Sequence, residues 1–157
     1  MSFEENINKE NIILPKAAAP VGSYVAFKIV GKLLYISGQI SIDKDGNLIK
    51  GKLGKDLKTE DGYKAAVRCA LNIVAQAKNA CKDDLSKIKS CVKLTGFVNS
   101  TDDFTEQPKV INGASDLIEI ENKSENNSIL VPFTREIVPK VDIKNSIVII
   151  DPPKGLL

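Results

Sequence analysis

Apolar residues at Tyr63, Val67, Ala70, Leu71, Val74, Ala77 and Cys81 recur at the i, i+4, i+7, i+8 spacing of one helix face. A helix with one apolar stripe must lay that stripe on another element, so this segment demands a layered partner. Thr59 is the expected N-cap, and Glu60 and Asp61 place acids in the first turn, where the helix dipole favours them. A different period follows at once. Ile88, Ser90, Val92, Leu94, Gly96 and Val98 alternate with Lys87, Lys89, Cys91, Lys93, Thr95 and Phe97, the period of a strand. The first set suits a core and the lysine-bearing set suits solvent or a neighbouring chain.

Upstream, Tyr24–Val30 and Leu33–Ser37 are β-rich and are joined by Gly31-Lys32, the chemistry of a type II′ hairpin. Residues 1–19 read as an extended arm. Residues 40–57 read as a loop with glycines at 46, 51 and 54, and a shorter second helix is expected from Thr101–Phe104 to about Leu117. Residues 119–128 are asparagine-rich and lack periodicity, so they read as a loop. Two β-like runs, Ser128–Phe133 and Ser146–Ile150, follow among prolines. Hairpin, loop, helix, strand, helix and further strands predict an α+β sandwich with helices on one sheet face. The length of 157 residues and an apolar content of 43% fit one domain over residues 1–157.

The chain contains no histidine. Ser-His-Asp and Cys-His nucleophile systems, HExxH zinc sites and imidazole acid/base chemistry are therefore absent from its own side chains. Cys69, Cys81 and Cys91 form no CxxC pair, and their odd number favours reduced thiols over a disulfide framework. For Cys69 and Cys81, on or beside the helix stripe, the expected role is small packing residue. The first residues, Met1–Asn6, carry acids where a signal peptide needs bases, and the longest aliphatic runs are too short to span a bilayer. The expectation is a cytoplasmic chain with no membrane partner. A net charge of +2 gives no reason to expect a nucleic-acid partner.

Gly46–Lys52 spells G-x-x-x-x-G-K, but Leu53 stands where a phosphate loop needs a hydroxyl and no helix is expected there. A solvated glycine loop is the better reading. Lysines 44, 50, 52, 55 and 58 are interleaved with Asp43, Asp45 and Asp56 and with no aromatics, so a nucleic-acid groove is not expected. The adjacent acids Asp83-Asp84 and Asp102-Asp103 read as helix caps. Arg68, next to core residue Val67, reads as a surface or interface group. Arg135, between β-like runs, is either an anion-gripping guanidinium or a structural ion-pair partner.

Pro20-Val21-Gly22-Ser23-Tyr24, then Gly31 through Ser37-Gly38-Gln39 and Gly46, resemble the opening of the Rid family, the YjgF or L-PSP endoribonuclease-like proteins. The resemblance continues through Gly51, Gly54, Asp56, Ala70-Leu71-Asn72, Asp84-Leu85 and Gly96-Phe97-Val98-Asn99, and through Gln107–Leu117. It implies a chorismate-mutase-like α+β fold, a mixed sheet with two helices on one face, assembled as a homotrimer with sites between subunits. It also implies hydrolysis of enamine or imine carboxylates, such as 2-iminopropanoate and 2-iminobutanoate, to 2-oxo acids and ammonia. No metal or organic cofactor is implied.

Carried over by motif, Tyr24 lines the cleft and Ser37-Gly38 form the turn beside the substrate. Without the resemblance, the same residues read as hairpin core and tight-turn chemistry. After Leu117 the resemblance thins, and residues 118–157 diverge from the family pattern. Arg135 takes the carboxylate-binding role, and Asp151 is the acid nearest to where the family carries a glutamate. Two rival activities remain beside deamination. One is cleavage of RNA, as the family's other name suggests; the other is a catalytically impaired trimer that binds a small carboxylate and regulates.

Overall fold

A computed structural model of the protein describes residues 3–119, 140–142 and 147–149. The chain divides into two compact units, Met1–Ser124 and Glu125–Leu157. In the second unit, β3 (Lys140–Asp142) pairs antiparallel with β4 (Ile147–Ile149), with Val141 opposite Val148. The β-like run expected at 146–150 thus contains a strand, whereas that at 128–133 lies outside the described residues, as does the asparagine-rich loop from residue 120 onward.

The first unit is an α+β domain. It opens with α1 (Phe3–Lys9), where an extended arm was expected. Tertiary contact explains the difference. Ile7 is buried against Val74, Ala77 and Leu85, and Ile12 and Leu14 pack beside it, so the polar segment carries one apolar anchor row. A helix this short gains its order from that packing and not from propensity.

The hairpin forms as its turn chemistry predicts. β1 (Phe27–Val30) and β2 (Leu33–Ile36) pair antiparallel, with Phe27 opposite Ile36 and Val30 opposite Leu33. Gly31 takes φ +59 and Lys32 stays out of the positive-φ region, the pattern of a type II′ turn. Leu34 and Ile36 pack on the core beneath, while Tyr35, Val30 and Leu33 face outward and are exposed.

α2 runs from Thr59 to Ala80. Its N-cap is Lys58 and not Thr59; the Asp61 carboxylate accepts the Lys58 N–H at 3.0 Å, and the Thr59 hydroxyl donates instead to Glu106. The buried line also sits one residue away from the expected stripe at the start of the helix. Gly62, Ala66, Ala70, Val74 and Ala77 are buried, whereas Tyr63 is exposed. Small residues win because α3 (Gln107–Glu119) lies close. Its Val110 and Ala114 meet Ala66 and Ala70 over Leu53, and a side chain at Gly113 would strike the Tyr63 carbonyl at 2.3 Å. α3 starts at Gln107, later than expected, because residues 101–104 form a turn closed by Phe104 N–H to the Thr101 carbonyl at 3.2 Å.

The segment 88–98, expected as a strand, has no regular secondary structure and joins no ladder with the described residues. Alternation prescribes faces and not a partner. The core face is realised at Ile88, Leu94 and Val98, which pack on the two buried clusters. Val92 and Phe97 are 78% and 97% exposed. At its end, Asn99 and Thr101 clasp Leu53 by backbone bonds of 2.9 Å each. Among the described residues the sheets are two separate pairs of strands; the larger mixed sheet does not form within them.

Candidate active site

The open end of the hairpin gathers the residues that the resemblance singles out. Ser37 N–H donates to the Ala26 carbonyl at 3.0 Å, and its hydroxyl donates to the Val25 carbonyl at 2.5 Å. The chain leaving β2 is thereby held to the chain entering β1, and Tyr24 lies directly before that clasp. Tyr24 is half exposed, and its phenol oxygen accepts a long 3.5 Å bond from Val21 N–H. A Cβ built at Gly22 would be in ordinary contact with the Tyr24 ring at 3.4 Å, so the ring lies beside that residue.

Gly38 behaves unlike a turn glycine. Its φ is not positive, and a Cβ placed there would meet nothing within 4 Å. The fold of this unit does not require a glycine at that position. Its N–H, next to that open space, bonds to none of the described residues. The site therefore offers a backbone donor that no described residue engages, a fixed serine and a phenol at one rim. Such groups can orient a carboxylate or carbonyl ligand.

Arg135 and Asp151 lie outside the described residues, so their relation to this rim is not part of the geometry. Arg68 sits on α2 with its side chain about one-third exposed, 3.6 Å from the Asp43 carboxylate and 3.4 Å from the Asn47 carbonyl. It is occupied in holding the turn at 43–47. The hydrogen bonds of the Asn47 backbone and amide, with Asp45 N–H and the Arg68 guanidinium, hold the Asp43 carboxyl below its ordinary range. The near-phosphate-loop motif proves to be this turn and the irregular chain after it, closed by Asn99 Nδ2 on the Gly51 carbonyl at 2.8 Å. No helix begins there; α2 starts at Thr59.

The paired acids act locally. Asp84 accepts from the Ser86 N–H and hydroxyl and caps the 3-10 turn Leu85–Lys87. Glu106 is bonded by Lys109 and Thr59, which hold its carboxyl below the usual range. None of the three cysteines forms a disulfide. Burial pushes the Cys69 and Cys81 thiols up, as suits packing residues and not nucleophiles. No group of three potential metal-binding side chains occurs among the described residues, and no helix there is long and apolar enough to cross a membrane.

Two amides of α2 have no functional role in the sequence reading, although Asn72 falls within the quoted resemblance. Asn72, 5% exposed, donates from Nδ2 to the Ile40 and Ile42 carbonyls at 3.2 and 2.9 Å. Gln76, 1% exposed, donates to the Ala18 carbonyl at 2.7 Å. The available signal was polar residues spaced i, i+4 along an otherwise apolar helix side.

Comparison with known proteins identifies the relatives. Protein TCP17 of Trypanosoma cruzi is 45% identical over 113 residues, 72% of this chain and 70% of that protein. The crystal structure of Agrobacterium tumefaciens Atu1372, a protein of unknown function, superposes with a TM-score of 0.68 at 41% identity, covering 77% of this chain and 75% of that one. A crystal structure described as a putative endoribonuclease from Shewanella oneidensis gives 0.73 at 36% identity, covering 78% and 81%. The family described as YjgF/chorismate mutase-like, putative endoribonuclease matches residues 4–150, past the point near residue 117 where the quoted motifs thin out. With Tyr24, Ser37 and Gly38 at one rim and the family match running through both units, the chain belongs to the YjgF/chorismate mutase-like family.

Proposed function

We propose that the protein hydrolyses reactive enamine or imine carboxylates of the 2-iminopropanoate type to 2-oxo acids and ammonia, in clefts completed by further copies of the same chain. The observation that carries this reading is Gly38, whose N–H bonds to no described residue and whose Cβ position is open, at a rim also bearing Tyr24 and Ser37. A protonated imine carbon is already electrophilic. Water adds to it, giving a tetrahedral carbinolamine; the oxygen loses a proton, the nitrogen gains one, and ammonia departs to leave the 2-oxo acid. Little is asked of the protein beyond orientation and a proton acceptor for the water. In this scheme Arg135 grips the substrate carboxylate, the Gly38 N–H and Tyr24 hydroxyl hold its remaining polar atoms, and Asp151 orients the water.

A homotrimer accords with the exposed apolar residues Val25, Val92 and Phe97, and a cytoplasmic location accords with the odd number of cysteines, three. Purified protein mixed with freshly generated 2-iminopropanoate should accelerate ammonia release, and Arg135→Ala and Gly38→Val should abolish the acceleration. Absence of any acceleration by the native protein sinks this reading.

The description of the Shewanella structure favours a second reading, cleavage of RNA. It predicts RNA products whose formation depends on the lysines at 50, 52, 55 and 58 and is indifferent to Arg135→Ala. Tight binding of a 2-oxo acid without turnover or RNA cleavage would instead mark a binding and regulatory protein.

A further inference from the structure

Arg68, Asn72 and Gln76 follow one another at i, i+4 and i+8 on α2, so their side chains project along one side of the helix. Each grips a different stretch of irregular backbone. Arg68 holds the turn at Asp43–Asn47, Asn72 holds the carbonyls of Ile40 and Ile42, and Gln76 holds the carbonyl of Ala18. These stretches flank the rim on both sides. Ile40 lies two residues after Gly38, and Ala18 lies shortly before Val21–Tyr24.

A row of buried amides is a costly way to build a helix core, because every polar atom must find a partner. Here both Asn72 bonds go to carbonyls just beyond Gly38; the Ile40 carbonyl also accepts the Ile42 N–H at 2.8 Å, whereas the Ile42 carbonyl takes its bond from Asn72. Gln76 Oε1 is left with no partner among the described residues. An apolar side chain at position 76 would avoid that unpaired oxygen, so its donor bond to Ala18 is the feature that accounts for the amide.

We propose that Asn72 and Gln76 are positioning residues for the candidate site: α2 uses them to set the Gly38 N–H and the Tyr24 ring relative to one another. This rests on the proposed imine hydrolysis for its catalytic consequence, and on the hydrogen bonds alone for its structural one. Neither residue touches substrate. Asn72 acts through Ile40 and Ile42 on Gly38, and Gln76 acts through Ala18 on Tyr24.

A role confined to folding would reduce the fraction of active molecules, lowering kcat with KM unchanged. A displaced rim binds substrate more weakly in every molecule, raising KM with kcat preserved. The test is steady-state hydrolysis of 2-iminopropanoate by Asn72→Ala, with Asn72→Ser as the milder variant able to donate one bond. Amide hydrogen exchange at Ser37 and Ile42 is measured on the same samples. Expected are a KM increase of about tenfold for Asn72→Ala and a smaller one for Asn72→Ser, with kcat within about threefold. Exchange at Ser37 and Ile42 should quicken by about tenfold without a matching change at Val74 in α2.

Native KM in both variants, or a loss of kcat alone, overturns the inference. Unchanged exchange at Ser37 and Ile42 overturns it too. A native protein that fails to hydrolyse the imine refutes the proposed function instead, and the exchange measurement then decides the positioning role by itself.

Discussion

The helix pair and the hairpin obey opposite packing rules. Between α2 and α3, Gly62, Ala66, Ala70, Gly113 and Ala114 let two backbones approach until a Cβ at Gly113 would strike backbone and one at Gly62 would press on Leu53 and Val110. On the hairpin and along residues 88–99, large apolar side chains stand in the open: Val25, Val30, Tyr35, Val92 and Phe97. The first region is completed within the chain. The second presents apolar surface and a segment without ladder partners among the described residues, the kind of surface that an interface covers. The candidate rim belongs to the open region, but the amides that hold it come from the closed one.

Substitutions should separate the two regions sharply. Leu85→Ala removes a side chain only 1% exposed at the junction of α1 and α2, and a loss of about 3 kcal/mol is expected in urea unfolding. Gly113→Ala places a Cβ against the Tyr63 carbonyl, where backbone cannot swing aside; about 2 kcal/mol should be lost. A native-like melting temperature for Gly113→Ala would break the view that the helix pair is closed to its last atom.

Gly38→Ala is the contrasting case. Its φ is ordinary and its surroundings are empty, so folding stability should hold or rise by about 0.5 kcal/mol. Imine hydrolysis should nevertheless fall by tenfold or more, on the order expected when a backbone donor at a site is crowded. Phe97→Ser sharpens the comparison from the other side. With the ring 97% exposed, unfolding of the isolated chain should move by less than about 0.5 kcal/mol, while sedimentation should show weakened self-association. A destabilised monomer would mean that Phe97 is covered within the chain.

The smallest expected effect is electrostatic. The Asp43 carboxyl is held below its ordinary value chiefly by Asn47 hydrogen bonds. Its contribution to stability is therefore present above the unfolded pKa of about 3.9 and is lost as the pH falls through the lower folded value. Asp43→Asn should flatten that acid limb below about pH 4 and leave neutral-pH exchange at Ser37 nearly unchanged.

Much of this architecture was legible from residue patterns, for local reasons. The hairpin and its turn follow from Gly31, because only a residue tolerant of positive φ closes that connection without strain. The long helix follows from its apolar period, and the acid at Asp61 marks its first turn. What failed were features set by neighbours. Tyr63 lies on the apolar stripe but is displaced outward because α3 comes too close for a large side chain, and Gly62 and Ala66 take the contact. Residues 1–19 showed no helical stripe, since among the described side chains of α1 Ile7 alone lies in the buried cluster that anchors it. Thr59 reads as a cap by residue type, yet its hydroxyl is claimed by Glu106 of a distant segment.

The candidate site divides in the same way. Tyr24, Ser37 and Gly38 were legible as a motif and Asn72 fell within one, whereas the bonds that Asn72 and Gln76 make were not legible, because a buried amide in a helix has no local signature beyond its spacing. By itself, the sequence determined the hairpin, the two helices, the absence of imidazole chemistry and the family to which the chain belongs. Only the tertiary structure decided which helix face is buried, that Val92 leaves the core face expected for residues 88–98, and that the rim hangs from α2. The physical reason is common to all three: period and propensity act within a few residues, whereas close approach, burial and hydrogen-bond partners are settled between segments far apart in the chain.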